Sequence, residues 1–351
     1  MWFYYLIFLF LLFFHFFFNK KSSNKQVGYF LCLLLIIIAA FRPPGIDRDY
    51  YNYKNMFEDL SILGGSSIEY SYQVITKTIK IFTNNFIYVL LFYALFGIGL
   101  KYIAIRELSE YWILSLLVYF GYFYICYDMT QIREGLAMAI FLLSIPDIKE
   151  RRINPFLLKF IIAFFIHYSA IIMFPIFFVI RPKYKSFLPY LFILFLSIIS
   201  LVFANNKLLL IIKLFPISGI QKKLEFYINL QKKDIFNTIN IFTIARILRI
   251  SIIMILIFYV KAIEQYNQYV RTLLQIYIIS LSVFFFLVGL PPVFSYRLSE
   301  FLGIVEIIIF PLLAYIIKPK LIGEIVVVFI ALIFLLYNLL IHQYIQPYFN
   351  T

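Results

Sequence analysis

The sequence predicts an all-α fold: a polytopic helical membrane protein of about 10–12 transmembrane helices. Three observations carry that expectation. Hydrophobic residues make up 64% of the 351-residue chain and charged residues only 14%, whereas a soluble domain is near half apolar and a quarter charged. Mean hydropathy is +0.93. Apolar runs recur along the whole length, on the scale of the roughly 17–25 residues that cross a hydrocarbon core about 30 Å thick as a helix. The short alternating strands of a membrane β-barrel are absent from the sequence.

Along the chain, spans are expected near 2–18, 27–41, 85–105, 112–127, 135–147, 156–180, 187–204, 240–260, 272–290, 299–317 and 321–341. The first reads as a spanning helix and not as a cleaved signal. No positive residue precedes it, and Lys20, Lys21 and Lys25 follow. Loops rich in Lys and Arg should face the cytoplasm. The candidates are Lys20/Lys21/Lys25, Lys101/Arg106, Lys149/Arg151/Arg152, Lys261/Arg271 and Lys318/Lys320. Arg181, Lys183 and Lys185 conflict with this pattern if 156–180 crosses once. The conflict disappears if that run makes two short passes turning near His167. A broken helix is tolerated where its freed backbone faces protein or a wet cavity.

Twelve segments then leave both termini outside. Residues 1–351 form a single integral membrane domain with external loops at 42–84 and 205–239. The 42–84 loop, Asp128–Glu134, His167, the 205–239 loop and Pro291–Arg297 all fall on the external face.

Other classes find little support. Cys32 and Cys126 lie in apolar runs, which argues against a disulfide framework. The three histidines are far apart and show no metal-ligand spacing, so no metal is expected. No P-loop or glycine-rich dinucleotide fingerprint occurs, and no cofactor is expected. The net charge of +14 is assigned to cytoplasmic anchoring and to a surface for anionic substrates, not to nucleic acid.

Five polar stretches interrupt the apolar pattern. In FRPPGIDRDYYNYKNMF, residues 41–57, Pro43-Pro44-Gly45 stops the second helix, and Asp47, Asp49, Tyr51 and Tyr53 follow. An interfacial belt would explain the tyrosines. The paired carboxylates better suit a site for sugar hydroxyls. In QIREGLAMAIFLLS, residues 131–144, Arg133 and Glu134 open a span. They are either an interfacial pair or a diphosphate contact, since arginine donates in a bidentate fork. His167 in FFIHYSAIIMFPIFF is either a packed core histidine or a general base.

Arg246 and Arg249 share one helix face. They either snorkel to headgroups or form an anion site within the bundle. In PPVFSYRLSEFLGIVE, residues 291–306, Arg297 and Glu300 could pair within one helix. Lys222, Lys223, Lys232 and Lys233 read as a solvated face that would also suit an anionic glycan.

Three of these elements in order resemble the EpsG/Wzy family of bacterial polysaccharide polymerases. They are G-x-D-x-x-x-Y at Gly45, Asp47 and Tyr51; Q-x-R-[QE]-G-[LI]-A at Gln131, Arg133, Glu134, Gly135 and Ala137; and H-[FY]-S-[AS]-[IL] at His167, Tyr168, Ser169 and Ala170. A weaker S-x-R element lies at Arg297. Position 134, often glutamine in such proteins, is glutamate here. It could pair with Arg133 or touch substrate.

The resemblance implies a GT-C-like bundle with an external-face cavity, in the bacterial cytoplasmic (inner) membrane. It implies transfer of a glycan from undecaprenyl diphosphate to the terminal sugar of an incoming lipid-linked repeat unit. The partners would be the lipid-linked donor and acceptor, membrane lipids and a separate chain-length co-polymerase.

For that reaction Arg133, Arg246, Arg249 and Arg297 are the expected diphosphate contacts, and His167 or Asp47 the base. Asp49, Tyr51, Tyr53 and Glu134 are the expected sugar contacts, and inversion is the expected outcome. A flippase for the same lipid needs a similar cavity without a base. An O-antigen ligase shares the donor chemistry.

Overall fold

In the computed structural model, residues 1–18, 25–59, 70–203 and 241–349 are described. The expected external loop at 205–239, with Lys222, Lys223, Lys232 and Lys233, lies outside them, as do residues 60–69 of the 42–84 loop.

The described chain is helical throughout, with four helices long and apolar enough to cross a membrane and six shorter apolar ones. It is a multi-pass helical membrane protein. Helix α1 (Trp2–Phe18) buries Tyr4, Ile7, Phe8, Leu11 and His15, a stripe of helical period, and exposes Leu6, Leu9, Phe13 and Phe17. An exposed apolar face is expected where the surrounding solvent is lipid. Helix α2 (Lys25–Ala40) ends at the Pro-Pro-Gly turn. Two short helices, α3 (Tyr50–Glu58) and α4 (Tyr70–Phe82), lie within the 42–84 stretch.

Next come α5 (Ile87–Leu108), α6 (Trp112–Tyr119, continued in π turns over Phe120–Asp128) and α7 (Ile132–Glu150). The expected short span at 135–147 is therefore a full helix that starts three residues earlier and carries Pro146 inside it. Helices α8 (Ile153–Ile166) and α9 (Met173–Val179) are joined by a 3-10 turn at Tyr168–Ile172. Phe156 meets Phe177 at 4.6 Å and Phe160 meets Phe174 at 5.5 Å. Those pairings make 153–179 an antiparallel hairpin that folds back at His167. The positive Arg181, Lys183 and Lys185 thereby return to the end of the bundle where α8 began.

Then follow α10 (Leu188–Ile199), α11 (Ile244–Phe258), α12 (Val270–Leu287), α13 (Pro292–Gly303) and α14 (Lys320–Leu336). Beyond α13 the chain continues through Glu306–Ile309 and a 3-10 segment, Phe310–Tyr315.

Side-chain contacts define the two ends of the bundle. At one end Tyr4 donates to the Gln346 carbonyl at 3.1 Å and Tyr348 to that of Ile38 at 3.1 Å. At the other, His15 meets Glu324 at 3.2 Å, Tyr315 donates to Glu110 at 2.8 Å, and Arg271 donates to the Lys185 carbonyl at 2.6 Å. This second end gathers the basic residues of the 106, 149–152, 181–185, 261–271 and 318–320 turns.

One expected loop charge is misplaced. Lys101 is not at the basic end but fully buried within α5. Its ammonium donates to both oxygens of Asp128, at 2.8 and 2.9 Å, and to the Gly135 carbonyl at 2.6 Å. The Tyr119 hydroxyl adds a bond to Asp128 at 2.6 Å. A buried ammonium is strongly disfavoured unless paired and hydrogen-bonded, and Asp128 supplies the pair from the neighbouring turn. The same contact locates that turn. Gly97, halfway along α5, faces Asp128, and a Cβ there would come within 2.8 Å of its carboxylate. The turn joining α6 to α7 therefore lies beside the middle of α5, and α6 and α7 stop short of the end where the two termini meet.

Candidate active site

The recess above that turn is the first cavity. It holds about 470 Å³ and is lined by Asp49, Asn52, Tyr53, Met56, Gln131, Arg133, Glu134, His167 and Arg297. Four elements supply these side chains: α3, the opening of α7, the α8–α9 turn and α13. Of the ten residues expected from sequence, Asp49, Tyr53, Arg133, Glu134, His167 and Arg297 converge here.

Arg133 stands in the first turn of α7, its guanidinium 5.5 Å from the centre of the Tyr53 ring and 5.7 Å from that of Tyr72. Glu134, one residue on, is buried and points elsewhere: its Oε2 lies 3.9 Å from Arg297 Nε. Gly135 completes the motif for a steric reason, since a Cβ there would come within 2.8 Å of the Tyr127 carbonyl. The Arg297–Glu300 pair that the spacing allowed does not form. Glu300 instead accepts from the hydroxyls of Tyr122 and Tyr127.

His167 ends α8 in an extended conformation, and its Nδ1 accepts the Ser169 N–H at 3.2 Å. A backbone N–H can only donate, so the neutral ring carries its proton on Nε2. The lone pair that a general base would use is already engaged. This geometry makes His167 a hydrogen-bond donor through Nε2.

Asp47, the other expected base, does not line the cavity. Its side chain is fully buried against Arg42, with Arg42 Nε 2.6 Å from Asp47 Oδ2. Its Oδ1 accepts the Asp49 N–H at 3.0 Å, and Arg42 Nη1 donates to the Ala39 carbonyl at 2.7 Å. The pair latches the end of α2 to the start of α3. Tyr51, an expected sugar contact, is also outside the cavity and 55% exposed. It packs over Gly45, whose φ of 75° suits glycine and where a Cβ would come within 2.8 Å of the ring. The G-x-D-x-x-x-Y spacing thus builds a turn. Asp49 is the carboxylate that the turn delivers to the cavity. Burial pushes its pKa up, against Arg297, Asn52, Arg133 and Arg42, which hold it down in that order.

Arg246 and Arg249 lie around a second space, not in the first. Arg249 Nε is 2.8 Å from Glu306 Oε1, and its guanidinium sits 4.9 Å from the Tyr122 ring. Arg246 lies over Phe284 at 3.5 Å. These two arginines belong to buried polar clusters and do not snorkel outward. Sequence reasoning missed Arg42, Asn52 and Glu306 as partners, while Gln131, singled out in the Q-x-R element, does line the cavity. The signal for Glu306 was present, as a carboxylate inside an apolar run implies a buried cation. Among the described residues no three His, Cys, Asp or Glu side chains gather as a metal site.

The fold and the recess define a multi-pass helical membrane protein with a cluster of charged side chains gathered at one end of the bundle. The EpsG family profile matches residues 25–350, and the chain belongs to that family. No curated protein and no solved structure matches it. The family places the chain in polysaccharide biosynthesis and suggests a glycosyltransferase-like polymerase.

Proposed function

We propose that this protein polymerises lipid-linked oligosaccharide repeat units, of the O-antigen or capsular kind, at the outer face of the bacterial cytoplasmic membrane. It would transfer the undecaprenyl-diphosphate-linked glycan to the terminal sugar of an incoming repeat unit. The observation that carries this reading is the convergence of Asp49, Arg133, Glu134, His167 and Arg297 in one recess. The opposite end of the bundle carries the basic turns, which supports a recess facing outward.

Each residue has a task in that reaction. Asp49 takes the proton from the acceptor hydroxyl as its oxygen attacks the anomeric carbon. The bond from that carbon to the diphosphate breaks, and its electron pair stays on the departing diphosphate oxygen. Arg133, Arg297 and the Nε2–H of His167 stabilise that charge, and no metal is required for it. The N-terminus of α7 opens at the recess and adds a favourable dipole. Glu134 and Tyr53 contact sugar. One direct displacement inverts the anomeric centre. A separate co-polymerase would set chain length.

A flippase would need a polar path through the bundle. Here the polar side chains of the recess gather at one end of the bundle, which favours the polymerase. Deleting the gene and resolving the surface glycan by gel tests the proposal. Loss of the long ladder with a single repeat unit remaining is the expected result. Loss of every repeat unit would move the block to flipping or ligation and end the polymerase reading.

A further inference from the structure

Helix α13 is the shared wall of two separate spaces. Arg297 faces the first cavity, while Tyr296 and Glu300 face a second one. That second space has two lobes, which have Arg246, Arg249, Tyr296 and Glu300 in common.

The two cavities are chemically alike. The first presents Arg133, Arg297, Asp49, Glu134 and His167. The second presents Arg246, Arg249, Glu300, Glu306 and His342. In the second, both carboxylates are engaged by the protein. Glu306 takes Arg249 at 2.8 Å and the Tyr277 hydroxyl, and Glu300 takes two tyrosine hydroxyls. Their charge is thus spread over phenolic donors. Arg246 lies with its guanidinium over the face of Phe284, a packing that fixes the orientation of its N–H fork.

The reaction proposed above joins two molecules of one chemical class, each with a diphosphate and sugars. Two like substrates call for two like sites. The attacking hydroxyl lies on the sugar farthest from its own diphosphate, so that diphosphate must rest away from the reacting atoms. We infer that the Arg246–Arg249 cavity is a second lipid-diphosphate site, which holds the uncleaved diphosphate of the incoming repeat unit while Arg133 and Arg297 hold the one that leaves. This inference rests on the polymerase reading.

The test is binding stoichiometry. Undecaprenyl diphosphate is titrated into the purified full-length protein in micelles and counted by native mass spectrometry. Wild type should bind two per chain. Arg246→Gln should weaken one site roughly 10- to 100-fold, the loss of a charge-assisted hydrogen bond, and leave the other. Arg133→Gln should do the reverse, and the double variant should bind neither. Arg249→Gln with Glu306→Gln removes a cation and its partner together, so it tests the same cavity without stranding a buried charge.

One ligand on wild type, or two on both second-cavity variants, overturns the inference. Displacement of the second ligand by excess phosphatidylglycerol would assign the cavity to ordinary headgroups and overturn it as well. The ladder experiment is independent. A gene whose deletion removes the ladder, with a product that binds one diphosphate, sinks this inference alone.

Discussion

Arg297 Nε lies 3.9 Å from Glu134 Oε2, and the two side chains differ sharply in exposure: 42% for the arginine and 1% for the glutamate. The contact joins α13 to the first turn of α7 across the recess. A pair with one exposed partner contributes about 0–1 kcal/mol to stability, so its value lies in placing charge. Glu134→Gln keeps an acceptor at that position and should preserve polymer length. Glu134→Ala removes it and should lower the polymerisation rate roughly tenfold or more, the scale of one misplaced electrostatic contact. Ladder length and initial rate in membranes check both.

Arg133→Ala should reduce polymerisation about 10²–10³-fold, the usual cost of removing a donor aimed at developing charge. The protein should still insert and accumulate. Arg133→Lys should recover little, because an ammonium lacks the planar fork that rests between the Tyr53 and Tyr72 rings. A normal ladder from well-expressed Arg133→Ala would remove this residue from the mechanism.

Asp47 and Arg42 are expected to hold the fold. Asp47→Asn or Arg42→Met strands a buried charge and should cost about 3–5 kcal/mol, seen as an earlier melt of the purified protein. The double variant Arg42→Met with Asp47→Leu should regain part of that loss. If it also polymerises, Asp47 has no role as base. Full stability in either single variant would contradict the latch.

The pH profile tests Asp49. Burial raises its pKa above the ordinary aspartate value of about 3.9. A base must be deprotonated, so the rate should fall as pH drops through that raised value. Arg297 is the largest influence holding the pKa down. Arg297→Gln should therefore shift the acid limb to higher pH, while Lys80→Gln, at the exposed side of α4, should leave it in place. An unmoved acid limb in Arg297→Gln would separate Asp49 from the titrating step.

Much of this protein was legible in order along the chain. Hydropathy and proline punctuation are local properties, and they placed most of the apolar helices to within a few residues, though not the two short helices of the 42–84 stretch or the start of α13, seven residues before the expected span. Charge asymmetry is nearly local too. It required a turn at His167, where the chain does fold back with Phe156 against Phe177. The convergence of Asp49, Arg133, His167 and Arg297 on one end followed from the same topology.

Partner choice was decided only in three dimensions. Lys101 read as a loop charge because nothing in its own segment reveals Asp128 across the bundle. Asp47 and Asp49 are two residues apart and look alike in sequence. Arg42 claims the first, and the turn it forms aims the second at the recess. His167 turns its Nδ1 onto a single backbone N–H, that of Ser169, a contact that only the turn at the end of α8 creates. Arg246 and Arg249 were separated from Arg133 by α13, whose neighbouring residues face different cavities. In a low-dielectric interior each buried charge must find a partner, and the nearest one in space is set by how the helices pack, which local patterns do not encode.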